Sequence, residues 1–124
     1  MSKISFRYIV TDVDAALRFY RDQFGFQVDM HPAPGFAALS RDGVTLFLNA
    51  PGAGGAGQDA GDAGTPAPGG WNRIQLQVED VSAQADRLKQ AGCTLRGEVI
   101  QGQGGKQVLV EDPAGNLVEL FQPK

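Results

Sequence analysis

The sequence predicts an α+β protein made of two βαβββ modules that close into a cupped, half-open β-barrel. Three observations carry that expectation. The order strand, helix and three strands occurs twice, matched residues recur between the halves, and a stretch without large side chains separates them. A sheet with a helix on one face leaves the other face needing cover, and two copies facing each other enclose a cavity. The 124 residues suit one domain of the usual size, roughly 100–150 residues. Residues 1–49 form the expected first module, 50–70 the linker and 71–124 the second module.

The first module opens on Ile4–Val10, where Phe6, Tyr8 and Val10 alternate with Ser5 and Arg7, the period of a strand. Asp12 stands at a helix N-cap position, with Asp14 placed to favour the helix dipole. Val13, Ala16, Leu17 and Tyr20 recur at three- and four-residue steps and make one apolar stripe, which Gly25 ends as a left-handed cap. Phe19 and Tyr20 belong to the expected core. Gln27–Met30, Phe36–Ser40 and Val44–Asn49 are the following strands, with Arg41-Asp42-Gly43 as the hairpin signal between the last two.

Ala50–Gly70 holds eight Gly, six Ala and three Pro, too little apolar surface to order itself, so it is expected to be a flexible connector or a lid. In the second module Ile74, Leu76 and Val78 alternate with Arg73, Gln75 and Gln77. Asp80 is the next N-cap, Val81, Ala85 and Leu88 form the stripe, and Gly92 is the stop. Leu95–Ile100, Gln107–Val110 and Leu117–Phe121 complete it, with Gly115 suited to a positive-φ turn position. Val10-Thr11-Asp12-Val13 matches Val78-Glu79-Asp80-Val81, and Gly43…Phe47-Leu48 matches Gly115…Glu119-Leu120.

Composition excludes several classes. The net charge is −3 with no Lys/Arg cluster, which argues against a nucleic-acid surface. No apolar run approaches the roughly 18–20 residues of a membrane span, and Met1–Arg7 lacks the apolar core of a signal peptide. One cysteine, Cys93, allows no internal disulfide, so a reduced, cytoplasmic setting is expected. Cys93 itself reads as a small, buried hydrophobe. His31, the single histidine, stands before Pro32 and reads as a solvated loop residue. Gly102-Gln103-Gly104-Gly105-Lys106 has the glycine content of a phosphate loop but not its spacing.

A βαβββ unit used twice, with Thr11-Asp12-Val13-Asp14, Phe19-Tyr20 and Phe24-Gly25-Phe26 around the first helix, resembles the vicinal-oxygen-chelate superfamily. That group contains the glyoxalases, bleomycin-resistance proteins and extradiol dioxygenases. The segment Glu111-Asp112-Pro113-Ala114-Gly115-Asn116-Leu117-Val118-Glu119-Leu120-Phe121 is similar to its most specific signature. The resemblance implies a homodimer and, in the metalloenzymes, a divalent metal held by a His, Gln or Glu on the first and last strand of each module. Aligned on the Asp caps and the Gly turns, those positions are Ser5, Arg73, Phe47 and Glu119. Only Glu119 matches. Phe47 has no donor atom and Arg73 puts a permanent positive charge where the cation would sit. No metal and no other cofactor is therefore expected.

Alternation directs Phe6, Tyr8, Val10, Ile74, Leu76 and Val78 under the helices and Ser5, Arg7, Arg73, Gln75 and Gln77 into the cup. Phe47, Leu117, Glu119 and Phe121 face the cup from the last strands. The candidate ligand-binding set is Ser5, Arg7, Phe47, Trp71, Arg73, Gln75, Leu117, Glu119 and Phe121. Arg73 and Glu119 are expected to meet as a bidentate pair, either structural or as an anchor for an anionic or carbonyl ligand. Trp71 offers a stacking face, a dimer contact or a cover for the barrel end. Glu119 is the one candidate catalytic residue, as a base only if desolvation outweighs Arg73. The leading expectation is a metal-free protein that binds an unknown small molecule in the cup without altering it. The alternatives are a glyoxalase-like lyase, isomerase or dioxygenase with an atypical metal site at Glu119, and an interaction module whose cup is filled by its own side chains.

Overall fold

The computed structural model describes residues 4–124, so the reading of Met1, Ser2 and Lys3 lies outside the described residues. The chain is α+β and divides between Gly69 and Gly70 into two compact units, each a βαβββ module. In the first, β1 (Ser5–Ile9), α1 (Val13–Phe24), β2 (Gln27–Ala33), β3 (Phe36–Arg41) and β4 (Val44–Asn49) make a sheet of order β1-β4-β3-β2. In the second, β5 (Arg73–Gln77), α2 (Val81–Gln90), β6 (Thr94–Gln101), β7 (Gly105–Glu111) and β8 (Leu117–Pro123) repeat it as β5-β8-β7-β6. Within each module the first strand runs parallel to the last, and all other pairs are antiparallel.

Both helices start as their caps require. Asp12 accepts from the Ala15 N–H at 3.1 Å, and Asp80 from the Ala83 N–H at 3.0 Å. Gly25 (φ 69°) ends α1, whereas α2 ends with Ala91 as its C-cap and Gly92 (φ 84°) comes next. In the first module Tyr20 is fully buried, and its ring lies 6.2 Å from Tyr8, 5.0 Å from Phe19 and 5.6 Å from Phe26, all edge-on. Leu39, Leu46 and Leu48 complete that core. In the second, Val81, Ala85 and Leu88 of α2 are buried, and α2 packs on β6, β7 and β8. Asp42 (φ 52°) and Gly43 (φ 80°) form the two-residue turn between Arg41 and Val44.

The structure corrects four details. Phe6 shares the helix-facing side of β1 with Tyr8 but is 45% exposed, because β1 is an edge strand and α1 packs on β2, β3 and β4. β2 continues past Met30 through His31-Pro32-Ala33, since an edge strand with register shifts tolerates a proline that donates no hydrogen bond. His31 is thus on a strand rather than in a solvated loop, and its Nε2 lies 3.4 Å from Asp14 Oδ1 on α1. The glycine-rich stretch is not featureless. The Ala50 N–H donates to Gly35 O (2.9 Å), the Gly52 N–H to Gly57 O (2.6 Å) and the Gly57 N–H to Ala53 O (3.0 Å). Further on, Asp59 accepts from the Gly61 N–H (2.7 Å) and the Thr65 hydroxyl (2.9 Å).

The turn between β7 and β8 is built on a buried carboxylate. Asp112 Oδ1 accepts from the N–H groups of Ala114 (2.8 Å) and Asn116 (2.9 Å), and Oδ2 from Asn116 Nδ2 (3.1 Å). Asp112→Ala removes these three bonds inside the protein and is expected to cost about 2–3 kcal/mol in urea denaturation. Asp12→Ala removes one exposed cap and is expected to cost about 1 kcal/mol. Equal losses for the two variants would mean that the turn is not held by its carboxylate.

Candidate functional site

The parallel register of β5 and β8 sets Arg73 opposite Leu117, Gln75 opposite Glu119 and Gln77 opposite Phe121. Because alternate residues share a face, Arg73, Gln75 and Glu119 stand together on the side away from α2. Glu119 is 7% exposed, and a carboxylate that deep needs donors. Arg73 donates to Oε1 through Nε (3.0 Å) and Nη2 (2.9 Å), and Gln75 Nε2 donates to Oε2 at 2.6 Å. The expected bidentate pairing is corrected here: both Arg73 contacts fall on one oxygen, because Gln75 holds the other.

The remaining guanidinium nitrogen of Arg73, Nη1, donates to Trp71 O at 3.2 Å. The Trp71 ring is 66% exposed, with the Arg96 guanidinium 5.0 Å from its centroid. Arg96 also reaches Gly115 O (3.3 Å) and Glu111 (3.5 Å), which ties the Trp71 segment to the β7–β8 turn. Leu117 is fully buried and Phe121 half-buried. Glu119 therefore lies in a polar cluster in which each of its oxygens already accepts at least one hydrogen bond.

The equivalent face of the first module has different chemistry. Arg7 pairs in register with Phe47 as Gln75 pairs with Glu119, and Ser5 lies two residues before Arg7, opposite Thr45. The Arg7 guanidinium sits 4.9 Å from the Phe47 ring centroid, and Phe36 packs against Phe47 at 5.8 Å. Next to them is an open cavity of about 530 Å³ whose lining includes Arg7, Pro32, Phe36, Asn49 and Ala53. Phe36 and Asn49 were not among the site residues expected from the sequence, and the Ala50–Gly57 loop was expected only as part of a connector or a lid. One signal was available, a polar residue, Asn49, directly after the apolar run Leu46-Phe47-Leu48.

A divalent cation needs several oxygen or nitrogen donors pointed at one place. At the positions the metalloenzymes use, Phe47 has none, Ser5 offers only a neutral hydroxyl, and Arg73 covers the one carboxylate. These residues do not make a donor set, and among the described residues no three His, Cys, Asp or Glu side chains gather. No helix among the described residues is long and apolar enough to cross a membrane.

Two parallel-edged βαβββ units, with their chemistry on the first and last strands, define a class of small cavity-bearing proteins. The family profile of the Glyoxalase/Bleomycin resistance protein/Dioxygenase superfamily matches residues 4–120, and the chain belongs to that superfamily. Comparison with curated protein sequences finds no match. Among solved structures, the chain is similar to lactoylglutathione lyase from Agrobacterium tumefaciens, at 22% identity and a TM-score of 0.75, covering 98% of this chain and 94% of that one. It is similar to TnmS3, an antibiotic binding protein from Streptomyces sp. CB03234, at 24% identity and 0.69, covering 100% and 98%. A glyoxalase/bleomycin resistance protein from the same Streptomyces strain is 26% identical with a TM-score of 0.63, covering 98% and 100%.

Two outcomes test this geometry. Arg73→Leu strands a buried carboxylate and is expected to cost about 2–3 kcal/mol, whereas Arg73→Leu with Glu119→Leu recovers most of that loss. Additive losses in denaturation would refute the coupling. Cys93 is half-buried rather than the buried hydrophobe expected, and that partial burial pushes its thiol above its ordinary range, with Arg87 opposing more weakly. At pH 8 its reaction with a disulfide reagent should run slower than that of free cysteine, and quicken as pH rises.

Proposed function

We propose that this chain is a metal-free small-molecule-binding protein of the glyoxalase/bleomycin-resistance type, which holds its ligand without transforming it. The observation that carries the reading is the engagement of both Glu119 oxygens by Arg73 and Gln75, together with Phe47 at the equivalent position of the other module. A carboxylate whose two oxygens both accept from a guanidinium or an amide is a poorer base and a poorer metal ligand than a free one, whereas a fixed guanidinium is a good anchor for an anionic or carbonyl group. The candidate contacts are Ser5, Arg7, Phe47, Trp71, Arg73, Gln75, Leu117, Glu119 and Phe121. An open cavity of about 530 Å³ beside Arg7 is of ordinary ligand-site size, which weighs against an interaction module with no room for a ligand. The antibiotic-binding description of TnmS3 accords with this reading, while the lyase among the similar structures is its rival. A cytoplasmic homodimer is part of the proposal.

The test is elemental analysis of tag-free protein before and after incubation with Fe, Mn, Ni, Zn and Mg salts. No stoichiometric metal is expected, and Glu119→Ala should leave that result unchanged. Stoichiometric metal that disappears in Glu119→Ala would overturn the proposal and make the lyase, isomerase or dioxygenase reading the better one. A monomer by light scattering at high concentration would remove the dimer from it.

A further inference from the structure

The first module contains an arrangement that the Arg73–Glu119 cluster does not explain. Arg21, Arg41, Arg73 and Arg96 each stand against a carboxylate, those of Asp22, Asp42, Glu119 and Glu111. Among the described residues no such ion pair is made by Arg7, which lies over the Phe47 ring and lines the cavity beside Phe36. A guanidinium fixed on an aromatic face and open to a cavity is a site for an anion.

Asn49 supplies the second observation. It closes β4, is 2% exposed, and lines the same cavity. Its Nδ2 donates to Ala53 O at 3.4 Å, which orients the amide, and its Oδ1 is a buried acceptor without a hydrogen-bond partner. A buried polar atom left unpaired is uncommon and costs free energy that a donor on a ligand would recover.

The wall beside Asn49 is nearly bare backbone. Gly54 (φ 59°) lies against the Asn49 amide, where an added Cβ would stand 3.8 Å from Nδ2, and Gly55 and Ala56 continue the lining. The loop is locked rather than loose. Ala53 rests on Gly35, where an added Cβ would come within 2.5 Å of Ala53 Cβ, and a Cβ on Gly57 would collide with the backbone of Ala50 and Ala53. Glycine at 35 and 57 thus lets the chain fold back tightly enough to form one side of the groove.

We infer that this groove takes a planar aromatic molecule carrying an anionic group for Arg7 and an N–H or O–H donor for Asn49 Oδ1, its flat body lying along Phe36 and Pro32. The inference rests on the small-molecule-binding reading above and adds the ligand class and the module that selects it.

Indole-3-acetate, which has a flat ring, a carboxylate and one N–H, is the probe. Titrated into ¹⁵N-labelled protein, it should shift the amides of Phe36 and Ala53–Ala56 and the Asn49 side-chain NH₂ pair. The 1-methyl analogue, lacking the donor, should bind roughly fivefold more weakly, and tryptamine, with the charge reversed, roughly tenfold more weakly. Arg7→Gln should bring indole-3-acetate close to the level of tryptamine. Gly57→Ala should weaken all three probes by deforming the loop, with the thermal midpoint of each variant read in parallel to confirm folding. Equal affinity for the three probes, or shifts confined to Arg73, Gln75 and Glu119, would overturn the inference and leave the binding function standing. Metal bound through Glu119 would instead overturn the function on which it rests.

Discussion

Burying a carboxylate in the middle of a sheet is the constraint around which the second module is arranged. Glu119 lies on β8 between β5 and β7, paired in register with Gln75 on one side and Leu109 on the other. A charge at that depth persists only with donors supplied at short range. The parallel pairing of β5 with β8 places two residues of alternate register, Arg73 and Gln75, where they can provide them. Arg73 then reaches the Trp71 carbonyl, Arg96 stacks on the Trp71 ring, and Arg96 touches Gly115 in the turn that Asp112 organises. One buried charge thus accounts for a run of polar contacts from the start of β5 to the β7–β8 turn.

The first module shows what the same backbone does without that charge. At the position of Glu119 stands Phe47, and the arginine beside it is satisfied by a ring face instead of an oxygen. A cation–π contact stabilises less than a buried, hydrogen-bonded ion pair and leaves the guanidinium donors unused. The two modules are alike in topology and opposite in electrostatic state, one closed on itself and the other with hydrogen-bonding capacity to spare. The scaffold occurs twice, and the residue at a single strand position, Glu119 or Phe47, decides whether the neighbouring arginine is held by a carboxylate or lies over a ring.

What was legible in the sequence follows a physical line. Asp12, Asp80, Gly43 and Gly115 act through bonds within a few residues, so their caps and turns can be read from local pattern. The meeting of Arg73 with Glu119, residues 46 apart, was legible because strand alternation and the internal repeat bring them to one face. The share taken by Gln75 was not, since which donor reaches which oxygen depends on side-chain reach. Phe6 obeyed alternation and still lies open, because alternation names a face and not the extent of the helix that covers it. His31 and Pro32 signalled a turn, but an edge strand with shifted register accepts a proline that a central strand would reject.

The glycine-rich segment is the instructive case, because composition argued correctly from a premise that does not hold for its first part. A stretch of Gly and Ala cannot order itself by burying side chains. Between Ala50 and Gly57 order comes instead from backbone hydrogen bonds made at separations that side chains would forbid, as the crowding at Gly35 and Gly57 shows. The same smallness that removes the hydrophobic driving force allows a tight return of the chain, and it leaves the wall beside Asn49 without side chains that would fill the cavity. Low complexity therefore has two structural outcomes, a free tether or a closely folded backbone. They are separated by whether a neighbouring turn, here Pro34-Gly35, offers a carbonyl and a bare Cα for the segment to fold against.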